Sequence, residues 1–321
     1  MRGLMRDDLF TVVSEHFITD TAKYADILLP ATMQAEQLDI MVTWGHLYIS
    51  LNQPAIEPPG ECVPNVELFR RLAKTMEFDE ESMAYWERTD REMLIDFHDW
   101  DAPALAGITF EKLEEVGWMR LNVGTPDTRA PHAEGNFPTP SGKCEFKSSL
   151  AEGGNFVVPV WRSMYDGMQP GGYVDPIPDY IPPFESAQSN PELAERFPLS
   201  IISPKPHAFL NSQYGNAADK QQVQGGQRVF IHPVDAAERG IEEGDLVRVF
   251  NDRGSFQGPA VYESDLITGL VMANVGHWQG KSSGTTVNAI TADRHCSLGN
   301  AGVYGDNLVE VQKVVDEAVA S

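Results

Sequence analysis

Residues 9–30 read LFTVVSEHFITDTAKYADILLP, and this stretch decides how the front of the chain folds. Leu9 to Val13 is a β-branched and aromatic run, the composition of a buried strand. Thr19 and Asp20 then offer capping oxygens, Thr21 to Tyr24 the body of a short helix, and Ile27-Leu28-Leu29 a second strand stopped by Pro30. Strand, helix, strand is the β-α-β rhythm of an open parallel sheet. Further on, Pro64 opens a stronger helix. In it Val66, Phe69, Leu72, Ala73 and Met76 recur at three- and four-residue spacing on one face, with Arg70, Arg71 and Lys74 opposite.

Residues 77–197 read as a connector, with helices expected at Arg91 to His98 and Phe110 to Val116. Val174 to Pro183 is dense in proline, which removes amide donors and fixes φ, so it reads as an extended arm laid across another surface. From Pro198 the pattern changes to short strands at Leu199–Ser203, Arg228–Ile231, Leu246–Phe250, Ser255–Tyr262, Leu270–Ala273 and Leu308–Val311. That is the pattern of a small β-barrel. Val234 to Arg239 is a short helix ended by Gly240, Gly244-Asp245 turns into the next strand, and Asn251 to Gly254 is a hairpin turn. The expected division is therefore 1–76, 77–197 and 198–321.

Composition narrows the function. The chain has 321 residues, 42% hydrophobic and 22% charged, a soluble globular profile with room for two domains. No run approaches the roughly 20 apolar residues of a membrane span. The opening residues mix Arg2, Arg6, Asp7 and Asp8 without the separate basic and apolar regions of a secretory signal; the expected compartment is the cytoplasm, with any export signal lying N-terminal to this chain. With 47 acidic against 24 basic residues the formal charge is −23, which disfavours nucleic acid as a partner. Cys62, Cys144 and Cys296 stand far apart, without the spacing of a zinc or iron–sulfur motif or of a disulfide framework.

Several attractive patterns fail on inspection. Gly276 to Ser282 (GHWQGKS) has too few residues between its glycines for a phosphate loop and no helix-forming sequence behind it. His295-Cys296 lacks further ligands. His16, His46, His98 and His132 show no helical i, i+4 pairing, so no residue is assigned to a metal and none to catalysis.

Phe17 to Pro30 with Glu36, then Pro58-Pro59-Gly60-Glu61 with Pro64-Asn65, resembles the third domain of molybdopterin oxidoreductases of the dimethyl-sulfoxide-reductase type. The segment His232 to Ile241 with Gly244-Asp245 resembles their fourth, dinucleotide-binding domain, and Ser203 to Ser212 is similar to the loop that grips the pterin. The three motifs occur in the family's order. The resemblance implies an α/β segment, part of an open sheet domain, followed by an all-β double-psi barrel of the aspartate-decarboxylase-like kind. It implies a molybdenum (or tungsten) cofactor with two pterin guanine dinucleotides. It also implies that the iron–sulfur cysteines and the metal-ligating residue lie on N-terminal domains or a split partner subunit, with an iron–sulfur electron-transfer subunit as a further partner.

The carried-over cofactor contacts are Ser14 and Glu15, after a strand's C-terminal end where open sheets bind nucleotides. They include Gln37 and Asn65, where many members carry Lys and Asp. From the barrel come Ser203, Lys205, His207, Leu210, Asn211, Ser212, Asn288 and, near Asp306, Asn307. Prolines stiffen the 203–212 loop, while its lysine, histidine, asparagine and serines supply donors for pyrophosphate oxygens and pterin edges. On this reading the chain alone is inactive. The alternative is a stand-alone double-psi-barrel binding or adaptor module without redox activity.

Overall fold

The structure is a computed structural model that describes residues 3–125, 127–152, 175–178, 180, 182–211, 213–282, 284–293 and 302–315. The side chains of residues 150 and 151 are also outside that description. Val174, Asp179 and Ile181 of the expected arm, Ser212, and the pair His295-Cys296 fall outside the described residues. The chain divides into two compact units, Met1–Ala133 and Glu134–Ser321.

In the first unit β1 (Val12–Glu15) and β2 (Ile27–Pro30) pair in parallel, Val12 opposite Ile27 and Glu15 opposite Pro30. A 3-10 turn at Ala22–Tyr24 crosses between them, and Thr19 Oγ1 accepts from the Ala22 amide at 3.2 Å. β1 begins later than its composition suggests because the Asp26 carboxylate accepts the Thr11 N–H at 2.7 Å. A second sheet, antiparallel in the order β3 (Asp39–Val42), β4 (Tyr48–Asn52), β5 (Trp118–Arg120), was not expected. Ile49 and Leu51 alternate inward on β4, as period-2 geometry requires. They form a core with Ile108, Phe110 and Leu113.

The helices of this unit are α1 (Asn65–Thr75), α2 (Glu80–Trp86), α3 (Asp90–Phe97) and α4 (Phe110–Val116). Caps define their starts: Asp79 accepts from the Ser82 amide, Thr89 and Glu92 form a capping box, and Thr109 accepts from the Lys112 amide. The two faces of α1 behave unlike the sequence reading. Arg70 turns inward, donating to the carbonyls of Trp86 at 2.7 Å and Arg88 at 2.9 Å and to Asp90 at 2.9 Å. Phe69 and Met76 stay 53% and 65% exposed. A guanidinium satisfies the carbonyls of the α2–α3 turn where an apolar side chain would leave them unpaired. Residues 77–197 are thus not uniform, since Ile108, Phe110 and Leu113 belong to the first unit's core.

The second unit opens with the short helix α5 (Ser149–Glu152) and continues with α6 (Pro191–Arg196), capped by Asn190. Its centre is a closed six-stranded barrel. The strands are β6 (Leu199–Ile202), β7 (Val229–Ile231), β8 (Leu246–Phe250), β9 (Ser255–Tyr262), β10 (Leu270–Met272) and β11 (Asn307–Lys313). Around the barrel the order is β10-β6-β11-β8-β9-β7. The pairs β6–β10 and β7–β9 are parallel and the rest antiparallel. Inward residues including Val229, Ile231, Val249, Phe256, Val271 and Val309 fill the interior. Closure leaves no open edge. Two helices decorate the barrel, α7 (Ala218–Gln224) and α8 (Pro233–Glu238). Beyond α8, Gly240 takes φ +62°, the left-handed position that ends helices.

Candidate cofactor site

Strand register fixes which loops share an end of the barrel. Asn307 at the start of β11 lies opposite Ile201, and Met272 at the end of β10 lies beside Ile202. Phe250 at the end of β8 lies opposite Glu310. The 203–211 loop, the 273–278 segment and the 251–254 hairpin therefore emerge at one end. Asn251 Nδ2 donates to the carbonyls of Ile290 at 2.9 Å and Leu308 at 3.2 Å, which brings the 287–289 turn with Asn288 to the same end. Ser203, Lys205, His207, Leu210, Asn211 and Asn288, drawn from two parts of the sequence, are thus gathered by the fold.

The loop is held against the backbone of residues 274–276. Pro204 O accepts from the Val275 amide and from Asn274 Nδ2, both at 3.2 Å. Leu210 and Gln213 exchange backbone hydrogen bonds of 3.2 and 2.9 Å around a corner where Asn211 takes φ +51°. Lys205, His207, Leu210, Asn211 and Asn288 are exposed. Ser203 Oγ is buried and has no partner among the described residues. An orphaned hydroxyl costs free energy unless a ligand or water completes it, so the donors of this loop fit a polar cofactor.

Asn307 is different. It is 1% exposed. Its Oδ1 accepts from the Ala292 amide at 2.8 Å and Arg253 at 3.1 Å, and its Nδ2 donates to Tyr304 O at 2.8 Å. These bonds engage its amide with the protein, and it staples the loops from within.

Two residues that the sequence reading did not assign stand at this end. His277 packs edge-on against Phe209 with ring centroids 5.3 Å apart. Burial, and secondarily the charge of Arg228, pushes its imidazole below the usual range and keeps it neutral at pH 7. Arg228 donates to Gln224 O at 2.9 Å and has no carboxylate partner among the described residues. Its signal was only a lone cation at the first position of the expected strand Arg228–Ile231, which in the structure begins at Val229. His277 sat inside the motif that failed as a phosphate loop.

The first unit contains its own cavity of about 460 Å³, and Gln37 and Asn65 both line it. Its walls include Phe69, Tyr85, Trp86 and Phe97. Thr32 Oγ1 donates to Gln37 Oε1 at 2.6 Å, leaving the Gln37 amide nitrogen to donate elsewhere. Pro64 provides no side-chain cap for α1, so the first-turn amides carry the positive end of an eleven-residue helix without an internal acceptor. Aromatic rings set at an angle to one another, Tyr85 edge-on to Trp86, together with two amides and a helix N-terminus offer a nucleotide both apolar contact and hydrogen bonds. Ser14 is exposed and Glu15 half-buried at the C-terminal end of β1, where Glu15 accepts from the His16 amide at 2.9 Å.

Comparison with known proteins agrees in both units. The family described as molybdopterin oxidoreductase matches residues 1–75, and the molydopterin dinucleotide binding domain matches residues 199–304. The chain is 32% identical over 316 residues to the probable oxidoreductase YoaE of Bacillus subtilis, covering 98% of this chain and 41% of the relative. It is 30% identical over 331 residues to the dimethyl sulfoxide reductase DmsA of Escherichia coli, covering 97% of this chain and 39% of the relative. The chain thus spans about two fifths of the length of these curated relatives. Acetylene hydratase from Pelobacter acetylenicus shares the fold, with a TM-score of 0.69 at 23% identity over 98% of this chain and 41% of that one. With both domain matches in order and relatives aligned along nearly its whole length, the chain carries two domains of the molybdopterin oxidoreductase family.

Proposed function

We propose that this chain is the cofactor-gripping C-terminal part of an oxidoreductase that uses a molybdenum or tungsten centre with two molybdopterin guanine dinucleotides. The observation that carries the reading is the gathering of Ser203, Lys205, His207, Leu210, Asn211 and Asn288 at one barrel end, the buried Ser203 hydroxyl having no partner among the described residues. The barrel, with its two parallel pairs, is of the double-psi kind and takes one pterin dinucleotide. Ser14, Glu15, Gln37 and Asn65 serve the nucleotide tail of the other. When bound, the metal supplies two-electron chemistry, of the oxygen-atom-transfer or dehydrogenation class.

The chain's own residues bind and orient. Lys205 and Ser203 donate to phosphate or pterin oxygens, Asn288 offers both a donor and an acceptor to a ring edge, and neutral His277 packs behind the loop without adding charge. The metal ligand and any iron–sulfur cluster belong to N-terminal domains or a partner subunit, so the isolated chain has no turnover. A barrel-only adaptor would have no use for the cavity shared by Gln37 and Asn65.

The test is to isolate the chain in its assembled enzyme and assay metal, pterin and guanine nucleotide per chain. Gln37→Leu combined with Asn65→Leu removes two hydrogen-bonding amides, each worth about 1 kcal/mol, and should weaken retention of the guanine nucleotide roughly tenfold or more. An assembled protein without pterin, or a double variant retaining the nucleotide as the parent does, would overturn the reading.

A further inference from the structure

The second unit contains a buried carboxylate that cofactor binding does not use directly. Glu185 is 5% exposed. Arg253 donates to it through both ends of its fork, Nη1 to Oε1 at 2.7 Å and Nη2 to Oε2 at 3.0 Å, and the Leu308 amide donates to Oε2 at 3.0 Å. From that anchored position Arg253 reaches two further groups. Its Nε donates to Ile290 O at 2.9 Å and its Nη2 to Asn307 Oδ1 at 3.1 Å. Asn307 Oδ1 in turn accepts the Ala292 amide.

These contacts converge on the 287–292 segment, which carries Asn288. Ile290 O accepts from both Arg253 and Asn251, and Ala292 N–H is held by Asn307. A Cβ added at Gly254 would lie 2.7 Å from Ala289 O, so the hairpin already touches the turn. The segment around Glu185 is lashed to the same hairpin at other points. Arg196 pairs with Asp252, and Phe197 meets Phe250 edge-on at 6.1 Å. Ser189 Oγ donates to Phe184 O at 2.9 Å, and Ser186 and Ser189 bond through their hydroxyls at 2.8 Å.

We propose that Glu185 is a positioning residue for the cofactor: it aims Arg253, and through Arg253 and Asn307 it sets the turn that presents Asn288. An ion pair buried on its carboxylate side, with the Arg253 side chain 32% exposed, is a weak source of net stability, because desolvation of the carboxylate offsets much of the Coulomb attraction. What it provides is direction, since a bidentate fork fixes the guanidinium plane and hence where Nε points. Segment 184–197, which follows the proline-rich arm, is then part of the cofactor grip rather than a passive connector. This inference rests on the reading of Asn288 as a cofactor contact.

The experiment uses the assembled enzyme with Glu185→Gln and, separately, Arg253→Lys, which keeps the charge but loses the fork. Hydrogen exchange at Ile290 and Ala292 and the rate of pterin release on dilution are measured, with the Val247 and Val249 amides of β8 reporting global opening. Losing a charge-assisted bond of this kind predicts roughly tenfold faster exchange and pterin release, with β8 unchanged. Equal pterin release by both variants and the parent overturns the inference while leaving the proposed function intact. Faster release matched by equally faster β8 exchange also overturns it, since that is general destabilisation. If Glu185→Gln does not fold, Arg253→Lys decides by the same comparison. A parent enzyme that holds no pterin overturns both readings.

Discussion

Replacing Gly276 by alanine probes the grip of the cofactor loop through one methyl group. Gly276 has φ +89°, and a Cβ built there sits against the Asn211 carbonyl, 2.9 Å from its carbon and 3.2 Å from Phe209 Cε2. The positive φ alone costs an L-residue about 1–2 kcal/mol, and forcing extra volume against backbone adds about 1–3 kcal/mol. The expected loss is therefore about 2–5 kcal/mol, a fall in Tm of at least about 4 °C for a unit of this size. Gly240→Ala is the control, because its φ is +62° but a Cβ there meets nothing within 4 Å. It should lose only the conformational part, about 1–2 kcal/mol. Thermal unfolding of the two variants, followed by pterin content of the assembled enzyme, separates the terms. If Gly276→Ala melts within a degree of Gly240→Ala, the loop is not wedged where the structure has it, and the reasoning fails.

Further perturbations test the first unit. Leu113 is fully buried among Ile49, Ile108 and Phe110, so Leu113→Ala should cost about 2–5 kcal/mol in urea unfolding; a loss below about 1 kcal/mol would contradict a core at this position. The Glu67 carboxylate is held below its usual 4.5, first by Arg71 and then by Arg70. A depressed carboxylate adds stability above the unfolded value that is lost as pH falls through the folded one. The Tm difference between the parent and Glu67→Gln should thus be constant above about pH 5 and shrink below pH 4.5; a difference that grows on acidification would reverse the assignment.

Much of the barrel was legible. Leu246–Phe250 and Ser255–Tyr262 appear with the bounds their alternation and the Asn251–Gly254 turn imply, because local turn chemistry and period-2 burial act together there. The β3–β4–β5 sheet escaped notice. β4 pairs with β5 nearly seventy residues later, and Asp39-Ile40-Met41-Val42 carries little alternation. Arg70 was assigned to the solvent face from helical periodicity, which cannot anticipate the Trp86 and Arg88 carbonyls that draw it inward. In the site, residue types and loop membership were readable, but the internal hydrogen bonds of Asn307 and the role proposed for Glu185 depend on contacts between segments distant in sequence.

The barrel order also governs how this protein emerges from the ribosome. β6 lies between β10 and β11, so both of its neighbours are made later, and roughly a hundred residues must be added before the second arrives. At about 5–20 residues per second, β6 waits some 5–20 s with an unpaired edge during synthesis. Synthesis of β11, more than any early nucleus, completes the barrel, and a holding chaperone has its longest opportunity to act on the segment that leads into the pterin loop.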